Sequence, residues 1–425
     1  MREIQPAICA IWPSRCGRVP AERVAARRTS PSEAAWPDSL WRRAAGPCDA
    51  HARPALTGPR PRPARLALSD LPDHEDALAP FGWTAAWRRA FDAVASEGDQ
   101  PGRVTTEYQH HLELITPFGP VLAHRTGRLR HRCPTRIDQP AAGDWVVVDP
   151  SDEDGPGVID VLPRSSRIVR QAAGRRTEPQ VVGANLDTVF VVTSLNRDFN
   201  PRRLERYLAV VWEGDGTPVV VLNKADLCDA IDARIEETRA IAAGAEVVAL
   251  SALDGHGVDA LEPFLGPGRT VGLVGSSGVG KSTLANALIG DAVQDTGAIR
   301  DADDRGRHTT TRRQLLVLPD ERGVLLDTPG MRELGMWGGE EGLRRAFADV
   351  EDRAGHCRFR DCTHESEPGC AVREAVESGE IAEARVRSYR ELLAEAAESV
   401  ERAKIAEARR ERVASGRRRR GPRRK

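Results

Sequence analysis

Apolar and polar positions fall into three successive regimes along this chain. Between Gly102 and Val161 the pattern is one of short strand-like runs: GRVTTEY, HLELITP, GPVLAHRT, GDWVVVD and GVIDVL. Turn-forming stretches such as TPFGP and DEDGPG separate them. Five short strands in so compact a stretch predict a small barrel, with an OB-fold as the leading expectation. From Asp187 to about Glu333 the pattern alternates. The runs DTVFVVTSL, PVVVLNKAD, AEVVALSAL and RTVGLVG have strand character, and NPRRLERYLAVVWEG, IDARIEETRAIAAG and KSTLANALIG between or after them have helical spacing. That alternation predicts a doubly wound α/β sheet, closed by a hairpin in RQLLVLPDERGVLLDTPG. From Glu340 to Arg412 the pattern is largely helical, interrupted by a group of cysteines and histidine.

The ends of the chain carry neither period. Residues 1–70 are rich in Arg, Ala and Pro, as in GPRPRPARLA, and cannot bury enough apolar surface to offset their ordering entropy, so disorder is expected. The absence of any methionine between Met1 and Met331 also fits a start assigned too far upstream. At the other end, GRRRRGPRRK reads as a disordered basic tail suited to a polyanion. A second basic stretch, HRTGRLRHRCPTR from His124 to Arg136, reads as a loop between the third and fourth barrel strands, where an OB-fold holds nucleic acid. Only Tyr108, Phe118 and Trp145 are at hand for base stacking there, so backbone electrostatics would dominate.

Composition narrows the classes. A length of 425 residues suits two or three domains, and the net charge of −1 averages over strong local bias. No run approaches the ~18 apolar residues of a membrane span, and the N-terminus lacks the apolar core of a signal peptide. Of eight cysteines, Cys9, Cys16, Cys48, Cys133 and Cys228 are scattered while three crowd around one histidine. That distribution argues against a disulfide framework and for a metal site in a reducing compartment, with the cytoplasm expected.

The chemistry is carried by five short motifs. GSSGVGKST comprises Gly275, Ser276, Ser277, Gly278, Val279, Gly280, Lys281, Ser282 and Thr283, and has a strand before it and a helix after it. Its glycines let backbone amides converge on phosphates, the helix N-terminus adds positive potential, Lys281 reaches the β- and γ-phosphates and the Ser282 hydroxyl ligates Mg²⁺. NKAD, formed by Asn223, Lys224, Ala225 and Asp226, selects guanine. The Asp226 carboxylate accepts from guanine N1–H and the exocyclic amine together, whereas adenine offers it a lone pair. Ser251 and Ala252 open SAL, expected to present a backbone amide to guanine O6. In DTPG, Asp327 is expected to hold Mg²⁺ through water and the Gly330 amide to sense the γ-phosphate. GRHTTT supplies a first-switch threonine for Mg²⁺: Thr310 is the choice, with Thr309 and Thr311 left open. Met331 stands where many GTPases place a water-orienting glutamine, so intrinsic hydrolysis should be slow, and His308 is the nearest substitute. Cys357, Cys362, His364 and Cys370 have the donors of a closed tetrahedral zinc site; His356 competes with His364, and three buried cysteines beside a stray histidine is the plain alternative.

The motifs occur in the order NKAD, SAL, phosphate loop, TTT, DTPG, a circular permutation of the usual GTPase order. A binding site depends on where loops sit in space, so the chemistry survives the rearrangement. In this order the second switch leads directly into the metal-binding region. From about Leu78 to Tyr389, including GDWVVV, GRHTTT, DTPGMRE and CRFRDCTHESEPGCAV, the chain resembles the RsgA (YjeQ) family of circularly permuted GTPases. The resemblance implies an N-terminal OB-fold β-barrel, an α/β P-loop GTPase domain and a C-terminal helical zinc-binding domain. It also implies GTP hydrolysis stimulated by the small ribosomal subunit, His308 in catalysis, and His364 as the zinc ligand.

The expected layout is a leader at 71–101, an RNA-binding barrel at 102–166 and the GTPase domain at 167–339. A zinc domain at 340–400 and a basic tail at 401–425 follow. The expected function is a monomeric, non-membrane GTP hydrolase that couples GTP and GDP states to binding and release of the small subunit and its rRNA. Two alternatives are a GTP-dependent RNA-binding switch with negligible catalysis and a permuted GTPase of large-subunit assembly.

Overall fold

The computed structural model describes residues 77–171, 179–196, 199–242, 244–290, 314–327 and 340–419. The expectations for residues 1–70, for His308 to Thr311, for Gly330 and for Met331 lie outside these residues.

Five strands close a barrel: β1 (Gln100–Glu107), β2 (His111–Thr116), β3 (Gly119–Arg125), β4 (Trp145–Asp149) and β5 (Gly157–Val161). They pair β1–β2–β3–β5–β4 and back to β1, with only β3–β5 parallel. Closure leaves no free edge within the barrel. Its interior holds Val104, Leu112, Leu114, Ala123, Val146, Val148 and Val158. The leader belongs to this unit: α1 (Ala85–Asp92), capped by Thr84, sets Trp83 and Phe91 against Trp145. Trp83 and Trp145 meet edge to face at 4.8 Å, and Trp145 is buried. Trp145 is therefore not available for base stacking, which corrects the reading from sequence.

The basic stretch after β3 is also different from expectation. It forms a short helix, α2 (Gly127–Arg132), because the Thr126 hydroxyl accepts from the Leu129 amide at 3.1 Å and Leu129 drops into the barrel interior. One apolar residue among the arginines and a threonine cap were enough to order what composition alone marks as a loop.

A hairpin of β6 (Arg167–Gln171) and β7 (Pro179–Ala184) follows, unforeseen in the sequence pattern. The α/β domain then contributes β8 (Thr188–Ser194), β9 (Thr217–Asn223), β10 (Glu246–Ala249), β11 (Thr270–Val274), β12 (Gln314–Val317) and β13 (Val324–Asp327). Their order is β10-β9-β8-β11-β13-β12, parallel except for β12. Helices α3 (Pro201–Glu213) and α4 (Ile231–Ile241) pack on one face and α5 (Lys281–Ile289) on the other, the doubly wound arrangement that the alternating pattern predicts.

The sheet continues into the barrel through β12 and β1, and Arg103 of β1 pins the junction. Its guanidinium donates to Gly143 O at 3.3 Å, Asn185 O at 3.4 Å, Thr270 Oγ1 at 2.7 Å and Phe81 O. It also lies 5.1 Å over the Trp145 ring. Burial pulls this guanidinium down to about 10, against the raising influence of Asp187 and Asp144.

Beyond residue 339 come α6 (Glu341–Ala346), α7 (Ala348–Ala354), α8 (Ala371–Glu377) and the long α9 (Glu383–Arg419). Leu343, Phe347, Val350, Val372, Tyr389 and Leu392 share one apolar core with Leu204, Leu208 and Val211 of α3. The helical pattern expected to run to Arg412 continues as α9 as far as Arg419, so the first residues of the stretch GRRRRGPRRK, expected to be disordered, are helical. Helical spacing carried through from Glu383 outweighs the local charge.

Candidate nucleotide site and metal cluster

The described residues of the predicted nucleotide site lie at the C-terminal ends of the parallel strands, where α/β sheets bind ligands. The phosphate loop follows β11 and opens α5. Gly275 has φ +146°, and a Cβ there would run into the carbonyl oxygen of Val192. Gly280 has φ +96°, and a Cβ there would strike Asn223 Nδ2. Neither position accepts another residue without the loop moving, which is the physical content of the glycine pattern. Lys281 folds over the loop, donating from Nζ to Gly275 O at 2.8 Å and Ser276 O at 2.6 Å. Ser277, Gly278 and Ser282 are exposed, Thr283 is half-buried, and Val279 is buried.

The base-reading loop is bolted to the phosphate loop. Asn223, at the end of β9, is buried and donates from Nδ2 to Val279 O at 2.8 Å. Lys224 stands in the left-handed region at φ +63° and donates from Nζ to Gly278 O at 2.6 Å. Ala225 is buried and Asp226 is exposed at the rim. Asn223 Oδ1 also accepts from the Ala252 amide at 3.0 Å, so among the SAL amides this one is engaged by Asn223. Ser251 is buried and its amide donates to His256 O at 2.9 Å. Asp327 ends β13, the parallel neighbour of β11, at the same edge of the sheet from which the phosphate loop departs.

Two residues that sequence reasoning did not single out complete the surroundings of the phosphate loop. From α3, Arg203 donates from Nη1 to Ser276 Oγ at 2.8 Å, and the Tyr207 hydroxyl lies 3.2 Å from the same oxygen. Their spacing of four along a helix after a strand was the only signal in the sequence, and it is shared by many helices that touch no site.

The second cluster joins Cys357, Cys362, His364 and Cys370, whose ligand atoms all lie within 4.8 Å of one another. Cys357 Sγ is 3.6 Å from His364 Nδ1 and 3.9 Å from Cys370 Sγ, and Cys370 Sγ is 3.5 Å from His364 Nδ1. Ligands about 2.0–2.3 Å from a tetrahedral zinc sit about 3.5–3.8 Å apart, so these spacings fit such an ion. His356 is not part of the cluster: its Nδ1 faces Asp352 O at 2.8 Å. His364 reaches inward from a left-handed backbone at φ +60°, on the turn between Cys362 and Cys370.

A doubly wound sheet with a phosphate loop at one strand end and NKAD locked against it defines a P-loop GTPase domain of permuted order. A family model described as RsgA GTPase matches residues 161–337. A relative named small ribosomal subunit biogenesis GTPase RsgA, from Opitutus terrae, is 47% identical over 335 residues, covering 76% of this chain and 91% of the relative. One of the same name from Methanosarcina acetivorans is 45% identical over 326 residues, covering 76% and 86%. The crystal structure of YjeQ from Thermotoga maritima superposes with a TM-score of 0.52 at 30% identity, covering 70% of this chain and 98% of that one. The chain belongs to the RsgA GTPase family. An ABC transporter model also matches residues 259–420; that span includes the phosphate loop, and the base-reading NKAD lies outside it.

Proposed function

We propose that this protein is a GTPase of small ribosomal subunit maturation, which hydrolyses GTP and couples its nucleotide state to binding and release of the subunit. The observation that carries this reading is the junction of the base-reading and phosphate loops, in which Asn223 and Lys224 grip Val279 O and Gly278 O. A guanine nucleotide spanning the two loops would be held at both ends by one rigid unit. Lys281 would leave its loop carbonyls for the β- and γ-phosphates, and Asp226 would accept from the guanine edge. Mg²⁺ bound with the nucleotide would be held by Ser282, by Thr310 and, through water, by Asp327, and would neutralise developing phosphate charge. Gly330 would sense the γ-phosphate, and His308 would orient the attacking water that Met331 cannot.

Residues 102–166 would face RNA, with 167–339 as the GTPase domain and 340–400 as the metal-bearing region, zinc being held by Cys357, Cys362, His364 and Cys370. The relatives' printed names support the small subunit as partner. We place the protein in the cytoplasm as a monomer on the chemistry of that partner and its cysteines. Measuring GTP turnover by the full chain with and without purified small subunits tests the reading. Strong stimulation by the subunit is expected. Turnover indifferent to it removes the subunit-activated enzyme, and stimulation by the large subunit alone reassigns the partner. Asp226→Asn should relax the preference for guanine over other bases by about 10-fold or more.

A further inference from the structure

Helix α3 touches the phosphate loop with one stripe and the C-terminal helices with the adjoining one. On the first stripe, Arg203 and Tyr207 both hold Ser276 Oγ, at 2.8 and 3.2 Å. Ser276 is also gripped through its carbonyl, which accepts from Lys281 Nζ at 2.6 Å. Arg203 is fixed in turn by its own backbone, since the Asn200 side chain caps α3 by accepting from the Arg203 amide at 3.2 Å. On the adjoining stripe, Glu205 accepts from Arg385 Nη1 at 2.8 Å, with side chains only 3% and 6% exposed. Arg206 pairs with Glu395 at 2.9 Å, and Arg202 with Glu391 at 3.7 Å. At the C-terminal end of α3, the Gly342 amide donates to Glu213 Oε2 at 2.8 Å, and a Cβ at Gly342 would collide with Ala209 O.

We propose that Arg203 is a positioning residue for the phosphate loop, and that through it the packing of the C-terminal helices on α3 sets nucleotide affinity. A helix moves as a rigid rod, so a displacement imposed by α6 or α9 on one side of α3 is delivered at Ser276 on the other. Ser276 is adjacent to the carbonyls that Lys281 occupies, so its placement decides how readily Lys281 and the loop amides meet the phosphates. Arg203 bonds to Ser276 of the phosphate loop, so its effect falls on phosphate affinity and leaves guanine selection untouched. This inference rests on the nucleotide reading above and adds a route by which the C-terminal region regulates that site.

The test uses the full chain and fluorescent GDP and GTP, with thermal melts alongside. Arg203→Ala is expected to weaken both nucleotides about 10-fold, the loss of one charge-assisted hydrogen bond, with an unchanged guanine-to-adenine ratio and an unchanged melt. Arg203→Lys should recover part of that loss, and Ser276→Ala should reproduce it from the loop side even if the alanine variant of Arg203 melts early. Arg206→Ala, remote from the loop, should weaken affinity about twofold in the wild-type background and not at all in Arg203→Ala. Wild-type affinity in both Arg203→Ala and Ser276→Ala overturns the positioning role. An Arg206→Ala effect that persists undiminished in the Arg203→Ala background overturns the route through Arg203. A wild-type chain that binds neither nucleotide would instead remove the GTPase reading itself.

Discussion

The α/β domain is joined to its two neighbours by opposite means. On the barrel side a single buried arginine, Arg103, donates to carbonyls from three separate segments and to one threonine, and the strands β1 and β12 pair across the junction. Its partners are main-chain groups and one short hydroxyl, all held by the fold, so that joint has one geometry. On the C-terminal side the joint is made of ion pairs between long side chains along α3 and α9, over a shared apolar core. The outer pairs, Arg202–Glu391 and Arg206–Glu395, are partly exposed and contribute little, being screened by salt, whereas Glu205–Arg385 is buried and lies with the apolar core at the centre of the joint. The barrel joint thus rests on one arginine bonded to main chain and one hydroxyl, and the C-terminal joint on an apolar core with one buried ion pair and a partly exposed rim of charge.

The largest expected effect comes from removing the zinc proposed at the Cys₃His cluster. Structural zinc contributes about 10 kcal/mol or more of folding free energy in small sites, so a strong chelator should open residues 340–377 to hydrogen exchange and raise exchange in α3. Protection of β1–β5 should stay as it was; equal loss in the barrel would show that the two joints are not independent. Arg103→Met should cost about 4 kcal/mol, because several buried carbonyls lose a donor at once. Denaturant melts should then show the barrel separating from the α/β domain, and a single sharp transition near the wild-type midpoint would break the contrast. Arg385→Met should cost about 3 kcal/mol, since it leaves Glu205 buried and unpaired beside Asp349. The double variant with Glu205→Leu should regain part of that loss in the same melt. Smallest is Arg206→Ala, at about 0.5 kcal/mol and vanishing near 1 M salt, which a urea titration at two ionic strengths would resolve.

Much of the site was readable from single motifs because each is local. GSSGVGKS carries its own turn geometry, and the steric demands at Gly275 and Gly280 are met where the pattern places them. The four positions of the Cys₃His cluster are also close in sequence, so their convergence needed only a short turn. The choice of His364 over His356 came from the family resemblance and not from spacing, since both stand near Cys357; in the structure His364 faces Cys370 Sγ and His356 Nδ1 faces Asp352 O. Misreadings arose where one residue in a biased stretch made the difference. Leu129 and the Thr126 cap turned a basic loop into α2, and Trp145 was claimed by Trp83 from the leader.

Periodicity and motif spacing determined that this chain holds a small barrel, a doubly wound sheet, a phosphate loop and a Cys₃His cluster, because helical and strand periods and tight turns depend on neighbours a few residues apart. The order NKAD before GKS likewise announced a permuted domain from sequence alone. Only the tertiary structure decided what joins these parts. Arg103 meets Thr270 across 167 residues, Arg385 meets Glu205 across 180, and Arg203 meets Ser276 across 73. Nothing in the local pattern marks such pairs, since an arginine on an amphipathic element reads the same whether it faces water, a carbonyl or a phosphate loop. Its partner is set by the packing of whole elements, which bring together residues that are far apart in the sequence.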